Sequence, residues 1–472
     1  MGHRVVIDPV TRIEGRARVT IELTDAGTVS AAQVHVTQLR GFESICVGRP
    51  LGEMPALTAR ICGICPVSHF LAAARAGDVI LGAAPPPAAR RLRELLQLAQ
   101  VLQSHALSFF HFSAPDFVLG HEVPPERRSI LGLLEAAPGL ARDGVALRAF
   151  GQGVIETVTG QRIHGAFTVP GGVARPLSVD ARRAISSGLP AALGAAERSL
   201  RWWEAEEPRH AEDEASGGNF PTAFLALVGV DGLLSFDGGA LRLVSAGGEI
   251  LGDGLDPARY DELIEERVDR SSYVKAPFWR SLGLPAGTYR VGPLARLNAV
   301  SACGTPRADR ALERLRGTAR GPLLSTFRAH RARLVEILYS LERMEALLED
   351  PVLLDPDVRS PPGERLPEGV GACEAPRGTL FHRYRVDDDG LVTDVDLLIA
   401  SAQNALSMDR AVFQTAARWL DGARITPALL GRVEATLRAF DPCLSCATHA
   451  FGAPGVSLRL VGPRGEIVDE SG

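Results

Sequence analysis

Arg60-Ile61-Cys62-Gly63-Ile64-Cys65-Pro66-Val67-Ser68-His69 and Asp441-Pro442-Cys443-Leu444-Ser445-Cys446-Ala447-Thr448-His449 decide how this chain folds. Each stretch carries a Cys-x-x-Cys pair with apolar neighbours, and a His follows a few residues later. The pairs are 381 residues apart, and the only other Cys are 46, 303 and 373. Two pairs at opposite ends of a Cys-poor chain point to convergence on one metal site, so the two ends must meet. Soft thiolates select Zn, Fe or Cu(I) and also hold Ni. From spacing alone, a structural four-thiolate zinc site stays open, although zinc ribbons keep their pairs within tens of residues. A redox dithiol also stays open.

Working outward, the N-terminal segment reads as strands. Val5–Val10 is apolar, and Ala17–Leu23 and Val29–Thr37 alternate around a turn at Asp25-Ala26-Gly27. After Pro85 the period changes. Leu92, Leu95, Leu96, Ala99, Leu102, Ala106, Phe109 and Phe110 recur at helical spacing. Further helices are expected around Pro125–Val158, Ser178–Trp203, Arg307–Leu348, Gln403–Trp419 and Thr426–Phe440. A β-rich insert is expected near Leu234–Ile250, and a hairpin over Thr379–Ile399 turning at Asp388-Asp389-Gly390. The tail Val456–Val468 reads as another hairpin. Loops are expected at Ala83–Pro87 and Ser360–Gly371. No segment has the composition of a long flexible linker. The reading is α+β and predominantly helical, a central bundle of long helices with peripheral antiparallel β hairpins.

Composition narrows the function. The chain has 472 residues, 46% hydrophobic and 23% charged, which is ordinary for globular proteins. Net charge is −5, which gives no basic footprint for nucleic acid. No apolar run is long enough to span a membrane, and the N-terminus has no secretory h-region. Seven Cys, sparse and odd in number, do not make a disulfide scaffold and suit a reducing compartment.

Other segments join the two Cys pairs in one ordered set: Asp8-Pro9-Val10-Thr11-Arg12-Ile13-Glu14-Gly15, Arg40-Gly41-Phe42-Glu43, His164 with Pro170-Gly171-Gly172, Val291-Gly292-Pro293-Leu294, and Glu374-Ala375-Pro376-Arg377-Gly378. With them the chain resembles the large, catalytic subunit of nickel–iron hydrogenases along its whole length. Within that family it looks most like the soluble, bidirectional NAD-reducing branch. The resemblance sets the zinc reading aside and implies the family's large-subunit fold.

It also implies roles. Cys62 and Cys443 would be terminal nickel ligands, and Cys65 and Cys446 would bridge nickel to an iron carrying carbon monoxide and cyanide. H2 splits heterolytically, which needs a metal and an adjacent base. Cys443 can take the proton. Arg377 matches the Arg over the open metal position, acting by its charge or as a base, with Asp441 orienting it. Glu14 matches the family's proton relay. Glu43 and His449 match ligands of a magnesium site. Ser401 would donate to an iron cyanide, and His69 would bond a bridging thiolate. His164 would lie near the partner's closest cluster. Cys46, Cys303 and Cys373 read as incidental buried thiols. Two positions depart from the family: Arg16 stands where many members have His, and Ser104 where membrane-bound relatives often have Asp. The Ser104 departure should alter how Arg377 is held.

The remaining three Cys are too few for an iron–sulfur cluster, and no complete nucleotide-binding glycine motif is present. Electrons must therefore leave through a partner. The resemblance implies an iron–sulfur small subunit, flavin-bearing diaphorase subunits acting on NAD, and a cytoplasmic location. It divides the chain into a catalytic domain, 1–449, and an extension, 450–472, that a maturation protease would remove. A hydrogen-sensing subunit, or a hydrogenase reducing NADP or another acceptor, is the alternative. A non-catalytic relative of the respiratory complex I type would lack the four Cys.

Overall fold

Pro66 follows Cys65 directly, and its fixed φ suits the first position of a helix. In the computed structural model a helix begins there: α1, Pro66–Ile80. The structure describes residues 4–37, 41–268, 272–420, 424, 426–444, 446, 457–461 and 467–471. The leucine periodicity after Pro85 forms α2, Pro87–Ala106. Three more long helices follow: α3, Pro138–Thr159; α4, Val179–Glu206; and α5, Ala329–Glu349. α2 packs on α3 and α5, and α4 packs on α3 and α5, so the four close a bundle. Leu92, Leu96, Leu147, Leu193, Trp203, Leu334 and Leu338 lie in its buried core. Each fully buried Leu there contributes about 1.5–3 kcal/mol. Among the described residues no helix is long and apolar enough to cross a membrane.

The helical spans expected from the sequence are cut at their turns. Pro125–Val158 is a turn, a short helix Ile130–Ala136, and α3 starting at Pro138. Arg307–Leu348 is two helices, Pro306–Arg316 and α5. Apolar periodicity runs through such breaks because both pieces face the same core. α2 continues into a wider π turn, Leu107–Ser113.

Strands β1 (Arg4–Asp8), β2 (Ala17–Leu23) and β3 (Val29–Val36) form an antiparallel sheet. The tail strand Ser457–Val461 pairs with β1, and Ile467–Ser471 pairs outside it. The turn of the tail hairpin lies outside the described residues. A second sheet holds β4 (Ala223–Val228), β5 (Ala240–Val244), β6 (Ile250–Leu255) and β7 (Tyr289–Arg290), in the order β7-β4-β5-β6. The expected insert at Leu234–Ile250 thus covers only one full strand of it. A third sheet, β8 (Glu368–Ala375), β9 (Gly378–Val386) and β10 (Val392–Leu398), is antiparallel in that order. The expected hairpin is β9–β10. β8 was hidden because its start lay inside the expected loop Ser360–Gly371. Gly371 explains part of that: a Cβ there would meet the Ala72 carbonyl at 1.9 Å, so only glycine lets β8 lie on α1.

Helices α6 (Ala405–Trp419) and α7 (Pro427–Phe440) cover the N-terminal sheet. Val5, Ile7, Val19 and Ile21 pack with Met408, Val412, Val433 and Leu437. This brings the end of α7 beside the start of α1, across the full length of the chain.

Candidate metal centre

Both Cys pairs hang from helix ends. Cys62 is extended (φ −144°), and Cys65 is the residue that precedes α1. Thiolates there face the positive end of the helix dipole. α7 stops at Asp441, which takes a left-handed conformation (φ 55°) that Asp tolerates better than most residues. Pro442 cannot continue the helix. Cys443 is then fixed from two sides. Its N–H donates to Ser401 Oγ at 2.8 Å, and a parallel bridge joins it to Glu14, with the Leu444 N–H donating to the Glu14 carbonyl at 2.9 Å.

The four sulfurs lie within 4.8 Å of one another, all buried, and none is in a disulfide. Cys62 to Cys443 is 3.2 Å, Cys65 to Cys446 3.3 Å, Cys443 to Cys446 3.0 Å and Cys65 to Cys443 3.9 Å. A metal–sulfur bond near 2.3 Å places neighbouring sulfurs about 3–4 Å apart, so the set fits soft metal. Burial pushes the Cys443 and Cys446 thiols well above their ordinary range, whereas hydrogen bonds from Cys443, Cys446 and Cys65 hold Cys62 well below it. Buried thiolates need a cation to persist. A small cavity opens beside Cys65, Cys443 and Cys446. Ala375, Pro376 and Leu380 give it an apolar wall, and Ser401 and Arg377 a polar one. That combination suits small iron ligands with one polar end.

Arg377 is 3% exposed and held at three points. Nε donates to the Asp441 carbonyl at 2.7 Å, Nη2 to Asp441 Oδ1 at 3.0 Å, and Nη1 to Ser104 Oγ at 3.1 Å. Ser104, the departure noted in the sequence, thus gives Arg377 a neutral acceptor. Burial alone would lower Arg377, but Asp441 and the thiolates of Cys443, Cys65 and Cys62 raise it well above its usual range. It stays a guanidinium, which favours its charge role over the base role.

Behind Arg377 lies a buried cluster that the sequence did not announce. Arg296 bonds Glu336 at 2.6 and 2.7 Å and Glu374 at 2.8 Å. It also donates to the Ala375 and Pro376 carbonyls, which fixes the turn just before Arg377. His105 joins Glu336 at 2.7 Å, and burial holds His105 down near 4, so it donates as a neutral ring. The hints were Glu374, which opens the segment ending at Gly378, and the run beginning Val291-Gly292-Pro293-Leu294, which opens the short helix carrying Arg296. Arg296→Met would strand two buried carboxylates, and removing one partner of such a group costs about 3–5 kcal/mol. A lowered thermal midpoint in differential scanning calorimetry is the expected outcome.

The segment bearing Glu14 is clamped in the same manner. Arg12 (φ 51°) pairs with Asp116 and donates to the Phe112 carbonyl, inside the π turn, at 2.7 Å. Arg438 and Arg128 also reach Asp116, at 2.7 and 3.0 Å. Burial would raise Asp116, but Arg438 and Arg12 outweigh it and bring it to about 2. Thr11 donates to Glu434 through N–H and hydroxyl, at 2.8 and 2.7 Å.

The structure therefore gathers Cys62, Cys65, Cys443, Cys446, Glu14, Arg377, Asp441, Ser401 and His69. His69 Nε2 is 3.5 Å from Cys446 Sγ. Glu43 is half-buried in a short helix, Phe42–Cys46. His449 lies outside the described residues. Cys303 sits in the bundle core, and Cys46 and Cys373 in the core around the Cys set.

A sequence profile described as nickel-dependent hydrogenase matches residues 40–123 and 251–449, and one described as HoxL-like matches residues 4–39. The chain is 38% identical to the beta subunit of the NAD-reducing hydrogenase HoxS of Cupriavidus necator, covering 100% of this chain and 99% of that one. It is similar to a solved NAD+-reducing NiFe hydrogenase in the H2-reduced state, with TM-score 0.91 and 44% identity over 94% of this chain and 99% of that one. A NiFeSe hydrogenase of Desulfovibrio vulgaris Hildenborough has TM-score 0.77 and 25% identity over 94% and 99%.

Proposed function

The chain belongs to the nickel-dependent hydrogenase family, and from that premise we propose that it is the catalytic subunit of a soluble nickel–iron hydrogenase that cleaves H2 reversibly into protons and electrons and passes the electrons to NAD. The observation that carries this reading is the convergence of four buried sulfurs beside Glu14 and Arg377. The NAD linkage is supported by relatives with NAD-reducing names at 38% and 44% identity.

In this reading Cys62 and Cys443 would hold nickel alone, and Cys65 and Cys446 would hold nickel together with an iron that carries carbon monoxide and cyanide. The bound centre supplies the redox and Lewis-acid chemistry for heterolytic cleavage. Cys443 Sγ accepts the proton. Glu14, whose backbone is bridged to Cys443, takes it onward toward solvent. Arg377 presents a fixed positive charge, and Asp441 holds its fork in place. Ser401 Oγ accepts the Cys443 N–H, and its own proton would serve a cyanide ligand of the centre. His69 bonds the Cys446 thiolate. Glu43 and His449 would hold a magnesium ion.

Among the described residues only one His/Cys/Asp/Glu group is suited to a metal ion. In this reading electrons pass to an iron–sulfur small subunit and then to flavin-bearing diaphorase subunits, with the assembly in the cytoplasm. The complex under H2 should reduce NAD+ in preference to NADP+, read from nicotinamide absorbance. Reduction of an artificial dye alone would refute the NAD linkage.

Residues 450–472 are removed by a maturation protease after His449. In the described structure the tail strand Ser457–Val461 occupies the edge of β1. Mass spectrometry of the mature subunit should find a chain ending at His449. A full-length chain in active enzyme would contradict this.

A further inference from the structure

His69 is the visible end of a longer buried chain. Its Nε2 faces Cys446 Sγ at 3.5 Å, and its Nδ1 is 3.1 Å from His382 Nε2. His382 Nδ1 is 2.7 Å from the Tyr384 hydroxyl. His69 is 1% exposed and the other two are fully buried. His382 and Tyr384 both lie on β9, two residues apart, so they project from the same face of the strand. His69 projects from the first turn of α1, and α1 packs on β9.

With neutral rings, each imidazole has one donor and one acceptor. The direction of every bond is therefore set from the thiolate end. A metal-bound Cys446 has no proton, so His69 Nε2 must donate to it. His69 Nδ1 then accepts, and His382 Nε2 must donate. His382 Nδ1 in turn accepts, and Tyr384 must donate. Burial pushes the Tyr384 phenol well above its ordinary range, so its proton stays in place. The opposite direction would turn the bare Nε2 of His69 toward a bare thiolate, lone pair against lone pair.

We propose that His382 and Tyr384 are positioning residues that fix the tautomer of His69, and so hold an N–H donor on the bridging thiolate of Cys446. Beyond Tyr384 the chain reaches the buried Thr58 hydroxyl, which donates to the Met54 carbonyl at 2.7 Å, so it orients the donor and does not export protons. A hydrogen bond to a metal thiolate draws electron density from sulfur and raises the reduction potential of the centre. Without Tyr384 or His382, this constraint on the His69 tautomer is lost and the bond to Cys446 weakens.

This inference rests on the assignment of Cys446 as a metal ligand. The test uses the assembled complex carrying Tyr384→Phe, which removes one oxygen, or His382→Leu. Nickel and iron content, the nickel magnetic-resonance spectrum and the midpoint potential are compared with the parent. The expected result is parental metal content in Tyr384→Phe, an altered nickel spectrum, and a midpoint shifted to more negative potential. His382→Leu should shift both in the same direction and further, and His382→Gln, which keeps an N–H donor, should recover part of the shift. A parental spectrum and potential in Tyr384→Phe overturn the proposal, even if His382→Leu fails to assemble. A parent complex without nickel overturns the metal assignment itself and this inference with it.

Discussion

Cys443→Ser is expected to abolish H2 oxidation by the assembled complex. The substitution changes one atom in a buried group whose sulfurs stand 3.0, 3.2 and 3.9 Å from their neighbours. Serine oxygen is a hard ligand that stays protonated near neutral pH, whereas thiolate suits the softer metals. The variant therefore loses a metal ligand and the first proton acceptor together. Cys62→Ser removes only a ligand and should also be inactive. Cys303→Ser is the control, because that thiol lies in the helical bundle core and burial keeps it protonated. The assay is H2-dependent dye or NAD+ reduction with nickel measured on the same sample. Parental turnover in Cys443→Ser would remove the four-sulfur assignment.

Glu14→Gln is expected to slow proton exchange between H2 and D2O by about a hundredfold or more, the lower range for loss of a positioned acid–base group. Gln keeps the size and hydrogen-bonding ability of Glu but cannot release a proton. The backbone bridge to Cys443, the Leu444 N–H bond and the clamp from Arg12 to Asp116 do not involve the Glu14 side chain. Metal content should therefore stay parental while exchange falls. Glu14→Asp keeps the carboxyl but shortens it and should fall between the two. Unchanged exchange in Glu14→Gln would take this residue off the proton path.

Much of this was legible in the sequence because the chemistry uses rare residues. Seven Cys in 472 residues leave few ways to build a soft metal site, and the four in pairs are the four that meet. The long helices were legible through apolar spacing, and β9–β10 through its Asp388-Asp389-Gly390 turn. β8 was not: Gly369 and Gly371 have no side chain to report the α1 surface they lie on. Arg296, Glu336 and Asp116 were hidden for a different reason. In a chain with 51 basic and 56 acidic residues, nothing in the order marks which pairs are buried. His382 was hidden in the same way, since a strand His reads alike whether it touches solvent or another imidazole. Ser104 could be singled out, but the bond it forms with Arg377 depends on where α2 passes the turn after β8.

The central claim is that the four thiolates hold a nickel–iron centre. It is tested most directly by metal analysis and infrared spectroscopy of the complex purified from its own host. One nickel per chain is expected, with iron that shows carbonyl and cyanide stretching bands. Zinc at the four sulfurs, or matured protein with neither nickel nor such bands, would contradict it.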